Sequence, residues 1–341
     1  METLKGEGIT MLSRSLIIGA SALALVSAAN AAEVYRIAGG PSGGGWHPAW
    51  SAATQLLNEK LGSKEHFQYT PTAGSVENAR RVRAGELATG WAHMPQVYEA
   101  WTGTGGFKQD GPSQDFRVIG NVQQYSQIIA VLADSPIHSF SDMKGKVVNL
   151  LNKGSGGSAN CIKIFKALGL FDKIKPRWMN FSASARALGD RQIDVYCSAA
   201  SPYTIPALNQ LSFSQPVRYV GLTAEEQKKI TDAYKFYSPV TIPVQKEVKG
   251  MTRPARSIGY NVWWIVSKKV SERAVTDMLS TIADPQNLKN LSSTARYWKN
   301  LSGNFEALKP YKIYVDPAAA KYWDAHGFKV PSDLVKGYGA S

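Results

Sequence analysis

The stretch Ile37-Ala-Gly-Gly-Pro-Ser-Gly-Gly-Gly-Trp-His-Pro-Ala-Trp50 holds five glycines in fourteen residues. It separates an alternating run, Glu33 to Ala38, from a helix-forming run, Pro48 to Leu61. Glycine costs backbone entropy, so a cluster marks a place where the backbone takes unusual angles or approaches something closely. The pattern recurs. Pro71-Thr-Ala-Gly-Ser75 lies between the strand-like Phe67 to Thr70 and the helix-like Val76 to Ala84. Asn152-Lys-Gly-Ser-Gly-Gly-Ser158 lies between Val147 to Leu151 and Ala159 to Leu168. Three Gly/Ser loops that each follow a strand and precede a helix restrict the chain to an α/β fold with parallel strands.

The remaining elements fill in that grammar. Pro48 suits a first helical turn, and Trp50, Ala53, Leu57 and Leu61 give that helix an apolar stripe. Ser75 is placed to cap the second helix, which Gly85 ends. Leu87 to Met94 is a strand. Phe116 to Leu132 reads as long β segments, suited to crossing between two lobes. Trp178 to Phe181 is expected as a strand, Ser184 to Leu188 as a short helix and Ile193 to Cys197 as a strand. The chain has 341 residues, enough for two domains of ordinary size.

Residues 1–31 form a charged start, an apolar run from Leu16 to Val26, and a small-residue site at Ala29-Asn30-Ala31. We read them as a secretory signal peptide cut after Ala31, with Met11 as a second possible start. The apolar run is shorter than the roughly 20 residues that span a bilayer. An exported location in the periplasm follows. It permits a disulfide between Cys161 and Cys197, though two buried thiols fit the sequence equally.

The formal charge of +13 fits an anionic ligand. Its densest cluster, Arg80-Arg81-Val82-Arg83, sits on a helix as a solvated face. No zinc-finger or RNA-binding motif accompanies it, so nucleic acid is not expected as a partner. The five histidines show no metal-ligand spacing, and no metal or cofactor is expected. Gly40-Pro-Ser-Gly-Gly44 fits the nucleophile elbow of serine hydrolases, with Asp324 and His326 downstream. It follows the first strand, with no earlier strands to supply an oxyanion loop, so an esterase using Ser42 is the minor alternative. Neither glycine loop fits a nucleotide-binding fingerprint.

In open α/β sheets, ligands sit beyond the carboxyl ends of strands. Helix N-termini there present N–H groups and positive partial charge. Ser42 to Trp46, Thr72 to Ser75 and Gly154 to Ser158 therefore mark an anion site shared by two lobes. Trp46, Trp50, Trp91, Tyr125, Tyr203, Trp263 and Trp264 make the surroundings aromatic. Trp50 belongs to the core by its helical stripe, and Trp46 is expected to wall the cleft. His47 and His93 are each expected to make ordinary polar contacts.

Ala38-Gly-Gly-Pro-Ser-Gly-Gly-Gly45, Pro71-Thr-Ala-Gly-Ser-Val-Glu-Asn78, Asp142-Met-Lys-Gly-Lys-Val-Val148, Gly154-Ser-Gly156 and Leu188-Gly-Asp-Arg-Gln-Ile-Asp194 form an ordered series. Over roughly residues 33 to 270 this resembles the TAXI family of solute receptors for tripartite ATP-independent periplasmic (TRAP) transporters. The resemblance implies a two-lobe periplasmic-binding-protein (Venus flytrap) fold, each lobe a doubly wound sheet with flanking helices. Lobe 1 would span 32–125, completed by about 250–341, and lobe 2 would span 126–249.

The implied function is capture of a small organic anion and its delivery to a TRAP permease driven by an ion gradient. The protein would be a monomer and not an enzyme. The implied ligand residues are Ser42, Gly43, Trp46, Gly74, Ser75, Asn78, Tyr125, Ser155, Gly156, Ser158 and Tyr203. Trp46-His47 replaces the family's tyrosine-rich start, Gly157 replaces a threonine and Leu87-Ala88 replaces Ala-Asp. The first two departures favour a larger or more apolar carboxylate. A ligand-sensing partner of a membrane signalling protein would share the same cleft.

Overall fold

The computed structural model describes residues 33–41, 44–201 and 203–337. The signal-peptide reading and the candidates Ser42 and Gly43 lie outside them. The first half runs β1 (Glu33–Ala38), α1 (Trp46–Leu61), β2 (Glu65–Thr70), α2 (Ser75–Arg83), β3 (Thr89–His93) and α3 (Met94–Thr102). The long β4 (Phe116–Leu132) follows. The second half runs β5 (Val147–Asn149), α4 (Gly156–Ala167), β6 (Lys175–Arg177), α5 (Phe181–Gly189), β7 (Val195–Ala200), α6 (Pro206–Ser214) and β8 (Val217–Tyr219). After β9 (Ser238–Ile242), β10 (Ala255–Ser267) runs back.

The sheet order is β2-β1-β3-β10-β4-β7-β5-β6, with β8 on β4 and β9 on β10. β1 pairs parallel with β2 and β3, and β5 pairs parallel with β6 and β7. These are the two α/β lobes expected from the sequence. They are joined as one continuous sheet because β4 and β10 are long enough to serve both. β4 and β10 pair antiparallel from Gly259↔Ser126 to Ser267↔Phe116. The boundary expected near Tyr125 therefore falls inside a strand.

The chain after β10 packs back on the first half. Trp298 Nε1 donates to the Ala49 carbonyl at 3.1 Å, and Arg273 pairs with the buried Glu65 at 3.0 Å. Trp50, Trp91, Trp264 and Trp298 form a buried cluster with ring centroids 4.5 to 5.8 Å apart. Edge-to-face rings add about 0.5–1.5 kcal/mol per pair to the burial itself. Cys161 and Cys197 are joined in a disulfide, which ties α4 to β7. Cys161 lies in the middle of α4.

Several local expectations need correction. Ser75 does not cap α2. Gly74 takes that position at φ 115, a conformation suited to glycine, and Ser75 is the first helical residue. Helix α4 begins at Gly156, because the Ser155 side chain caps it by accepting from Ser158 N–H at 3.1 Å. Trp178 to Phe181 is not a strand. The Asn180 side chain accepts from Ala183 N–H at 2.9 Å, which caps α5 and draws Phe181 into a helix.

Candidate functional site

A cleft with about 660 Å³ of empty space, its mouth included, opens between the two halves. The first residues of five helices face it: Trp46 of α1, Ser75 of α2, Gly156 of α4, Phe181 of α5 and Pro206 of α6. The topology explains the convergence. β1, β2, β5, β6 and β7 all end at this edge, so the helices that follow them begin there. The N–H groups at a helix start have no intrahelical carbonyl. In α2 that of Glu77 goes to the Gly154 carbonyl at 3.4 Å, and in α4 that of Ser158 goes to Ser155 Oγ. The amides ahead of them, at Ser75, Gly156 and Gly157, belong to residues that line the cleft.

No Asp, Glu, Lys or Arg is among the described lining residues. Arg296 stands one layer behind, where it donates to the Ser201 carbonyl and to Thr204 Oγ1. The nearest positive features are thus helix starts, with one guanidinium behind them. The ionisable side chains of the lining are held neutral. Burial lowers the His93 pKa to about 3, and burial raises those of Tyr125 and Tyr297.

Trp46 walls the cleft. It is buried, and its Nε1 donates to Tyr125 Oη at 2.6 Å. Gly74, Ser75, Tyr125, Ser155 and Gly156 line the cleft with it. Three expected contacts do not line it. Asn78 lies below, donating to the Gly39 and Trp91 carbonyls and accepting from Thr72 Oγ1, so its amide ties two loops to β3. Ser158 is buried in the first turn of α4, and the half-buried Tyr203 packs against the core of the second half. Trp91, Trp263 and Trp264, expected near the cleft, are fully buried core.

His93, expected from the sequence to make an ordinary polar contact, is a site residue. It ends β3, its N–H donates to Ser75 Oγ at 3.2 Å, and its ring lines the cleft. Its place at the carboxyl end of a strand was the available signal. Leu151, Phe181 and Tyr297 also line the cleft. Leu151 sits at φ 61, a strained conformation for a branched side chain. Such strain clusters at functional sites. Tyr297 comes from a distant segment and carries no local signal.

The two halves touch beside the cleft. Asn152 Nδ2 donates to the Ala73 carbonyl at 3.1 Å, Gln96 Nε2 to Asn160 Oδ1 at 3.2 Å, and Lys163 pairs with Glu99 at 2.7 Å with both side chains nearly buried. Among the described residues no group of three His, Cys, Asp or Glu could hold a metal. No helix there is long and apolar enough to cross a membrane.

Among solved structures, the chain is similar to MatC from Rhodopseudomonas palustris with bound malate, at a TM-score of 0.50 and 15% identity, covering 78% of this chain and 88% of that one. It is also similar to the alkanesulfonate-binding protein SsuA from Xanthomonas axonopodis pv. citri bound to MOPS, at a TM-score of 0.47 and 14% identity, covering 89% and 97%. These likenesses concern the two-lobe fold. The NMT1-like family matches residues 37–327, which is most of the chain, and this protein belongs to that family.

Proposed function

We propose that this protein is an exported receptor that captures a small organic anion between two lobes and delivers it to a membrane permease. The lobes would be 32–125 completed by about 250–341, and 126–249. The observation that carries the reading is the convergence of helix starts from both halves on one cleft without a charged side chain between them. Backbone amides at helix starts stabilise an anion without a salt bridge. The net charge of +13 attracts anions at longer range. The resemblance carried by the ordered glycine-loop series favours a permease of the TRAP class, with the receptor acting in the periplasm as a monomer. It would be a binding protein, with no catalytic step and no cofactor.

Capture works by differential affinity. A ligand that touches both halves binds the closed arrangement better than the open one and shifts the population toward it. Thermal shift against carboxylates, amino acids and aromatic acids tests the reading. A ligand at about 100 times its dissociation constant stabilises the fold by about 2.7 kcal/mol. Silence across the panel from a folded protein free of co-purified ligand removes the organic-anion assignment. A secreted esterase remains the minor reading, and hydrolysis that survives Ser42→Ala would end it.

A further inference from the structure

We propose that His93 is a solute contact of this cleft, hydrogen-bonding through Nδ1 to the anionic group, and that the cleft prefers a solute with one negative charge on an otherwise uncharged body. The inference rests on the receptor reading above and names its ligand class.

The first observation is an unpaired atom. His93 Nδ1 is buried and has no hydrogen-bond partner. A buried polar atom left unpaired is unfavourable, so a partner is expected. The ring cannot turn away to find water. Trp46, Tyr125 and Tyr260 surround it at centroid distances of 5.2, 5.1 and 4.9 Å. Ser75 Oγ holds its backbone N–H. Nδ1 lies at the seam of the halves, where a Cβ on Gly156 would stand 2.5 Å from it and 2.6 Å from Ser75 Oγ. All three residues line the cleft, so a solute group at the seam can meet the imidazole and the helix starts of α2 and α4 together.

The second observation is the charge inventory. The described lining has no ionised side chain, and Arg296 is the cation standing behind it. One carboxylate is satisfied by helix-start amides and hydroxyls. A second carboxylate on the same solute would find hydroxyls at Ser201, Thr204 and Tyr297 but no cationic side chain in the described lining. Desolvating an ion without compensation costs far more than burying an apolar tail. The apolar wall and the Trp46–Tyr125 pair suit a hydrocarbon or ring.

The test pairs acids that differ by one terminal carboxylate: pentanoate with glutarate, hexanoate with adipate, and 2-oxopentanoate with 2-oxoglutarate. Affinities are measured calorimetrically on the full exported chain and on His93→Phe and His93→Asn. The expected result is a preference of about tenfold or more for the monoacid in each pair. His93→Phe loses about tenfold in affinity for both members of each pair, since both carry the carboxylate that Nδ1 meets, and His93→Asn, which keeps an amide near the Nδ1 position, recovers much of it. A role limited to packing would leave His93→Asn binding no tighter than His93→Phe. Tighter binding of the diacids overturns the charge rule and leaves the receptor reading standing. Wild-type affinity in His93→Phe overturns the role of His93. If neither series binds the wild-type chain, the organic-anion reading falls, and this inference with it.

Discussion

Trp46 Nε1 and Tyr125 Oη meet at 2.6 Å, and this contact fastens the start of α1 to the crossing strand β4. The first residue of a ligand-facing helix is thereby tied to the strand that runs through both halves. Tyr125→Phe leaves the indole N–H buried without an acceptor. The expected loss is about 1–3 kcal/mol, seen as a fall of several degrees in melting temperature. Solute affinity falls with it, because Trp46 is no longer fixed. An unchanged melting temperature would show that the indole finds another acceptor.

His93 makes stability depend on acidity. Its pKa is about 3 in the fold and 6.5 in the unfolded chain. Between those values the unfolded state binds more protons, so stability rises with pH and falls as the solution is acidified. The slope attributable to this group is about 1.4 kcal/mol per pH unit at most. The buried carboxyls of Asp316 and Glu65 have raised pKa values and act with the opposite sign. Denaturation of wild type and His93→Phe from pH 7 to 4 separates the two contributions. The variant should lack the acid-side loss, and parallel curves would mean that His93 titrates normally.

The halves, the strand–helix alternation within each parallel unit and the glycine loops were legible because each is a local pattern of strand, turn and helix. The same locality explains the errors. Ser75 looked like a cap because its residue type suits one, but Gly74 takes the cap angles and frees the hydroxyl to hold His93 N–H. Trp178 to Phe181 looked extended, yet Asn180 begins a helix there. Asn78 was read as a ligand contact from the family resemblance, and its partners Gly39, Thr72 and Trp91 are set by tertiary packing. The first glycine loop has part of its reason far along the chain. A Cβ on Gly45 would collide with the Tyr297 ring, and no pattern near residue 45 announces that.

The disulfide should act on stability more than on binding. Cys161 and Cys197 are 36 residues apart in sequence and tie α4 to β7. A cross-link of that span stabilises by about 3–4 kcal/mol, on the view that it restricts the unfolded chain. Cys161→Ser with Cys197→Ser should therefore lower the melting temperature by several degrees in non-reducing buffer. The α4 start is also held by the Asn152–Ala73 hydrogen bond, so affinity should change less than about threefold. A large loss of affinity with little loss of stability would reverse this assignment.

Gly156→Ala should separate closure from folding. The added methyl would lie 2.5 Å from His93 Nδ1 and 2.6 Å from Ser75 Oγ, atoms on the opposite half. His93 is boxed in by aromatic rings, and Ser75 is fixed at a helix start, so neither can yield cheaply. The loops must part instead. Alanine itself suits the first turn of a helix, so the unliganded fold should keep its melting temperature within a few degrees. Affinity should fall by about tenfold or more, and small-angle scattering should show a larger radius in the presence of solute. Gly169→Ala is the control. Its methyl meets nothing within 4 Å, but φ is +69 there, so it should cost about 1 kcal/mol in stability and leave affinity alone. Equal loss of affinity in both variants would mean that Gly156 matters only through stability, and that the seam does not close on the solute.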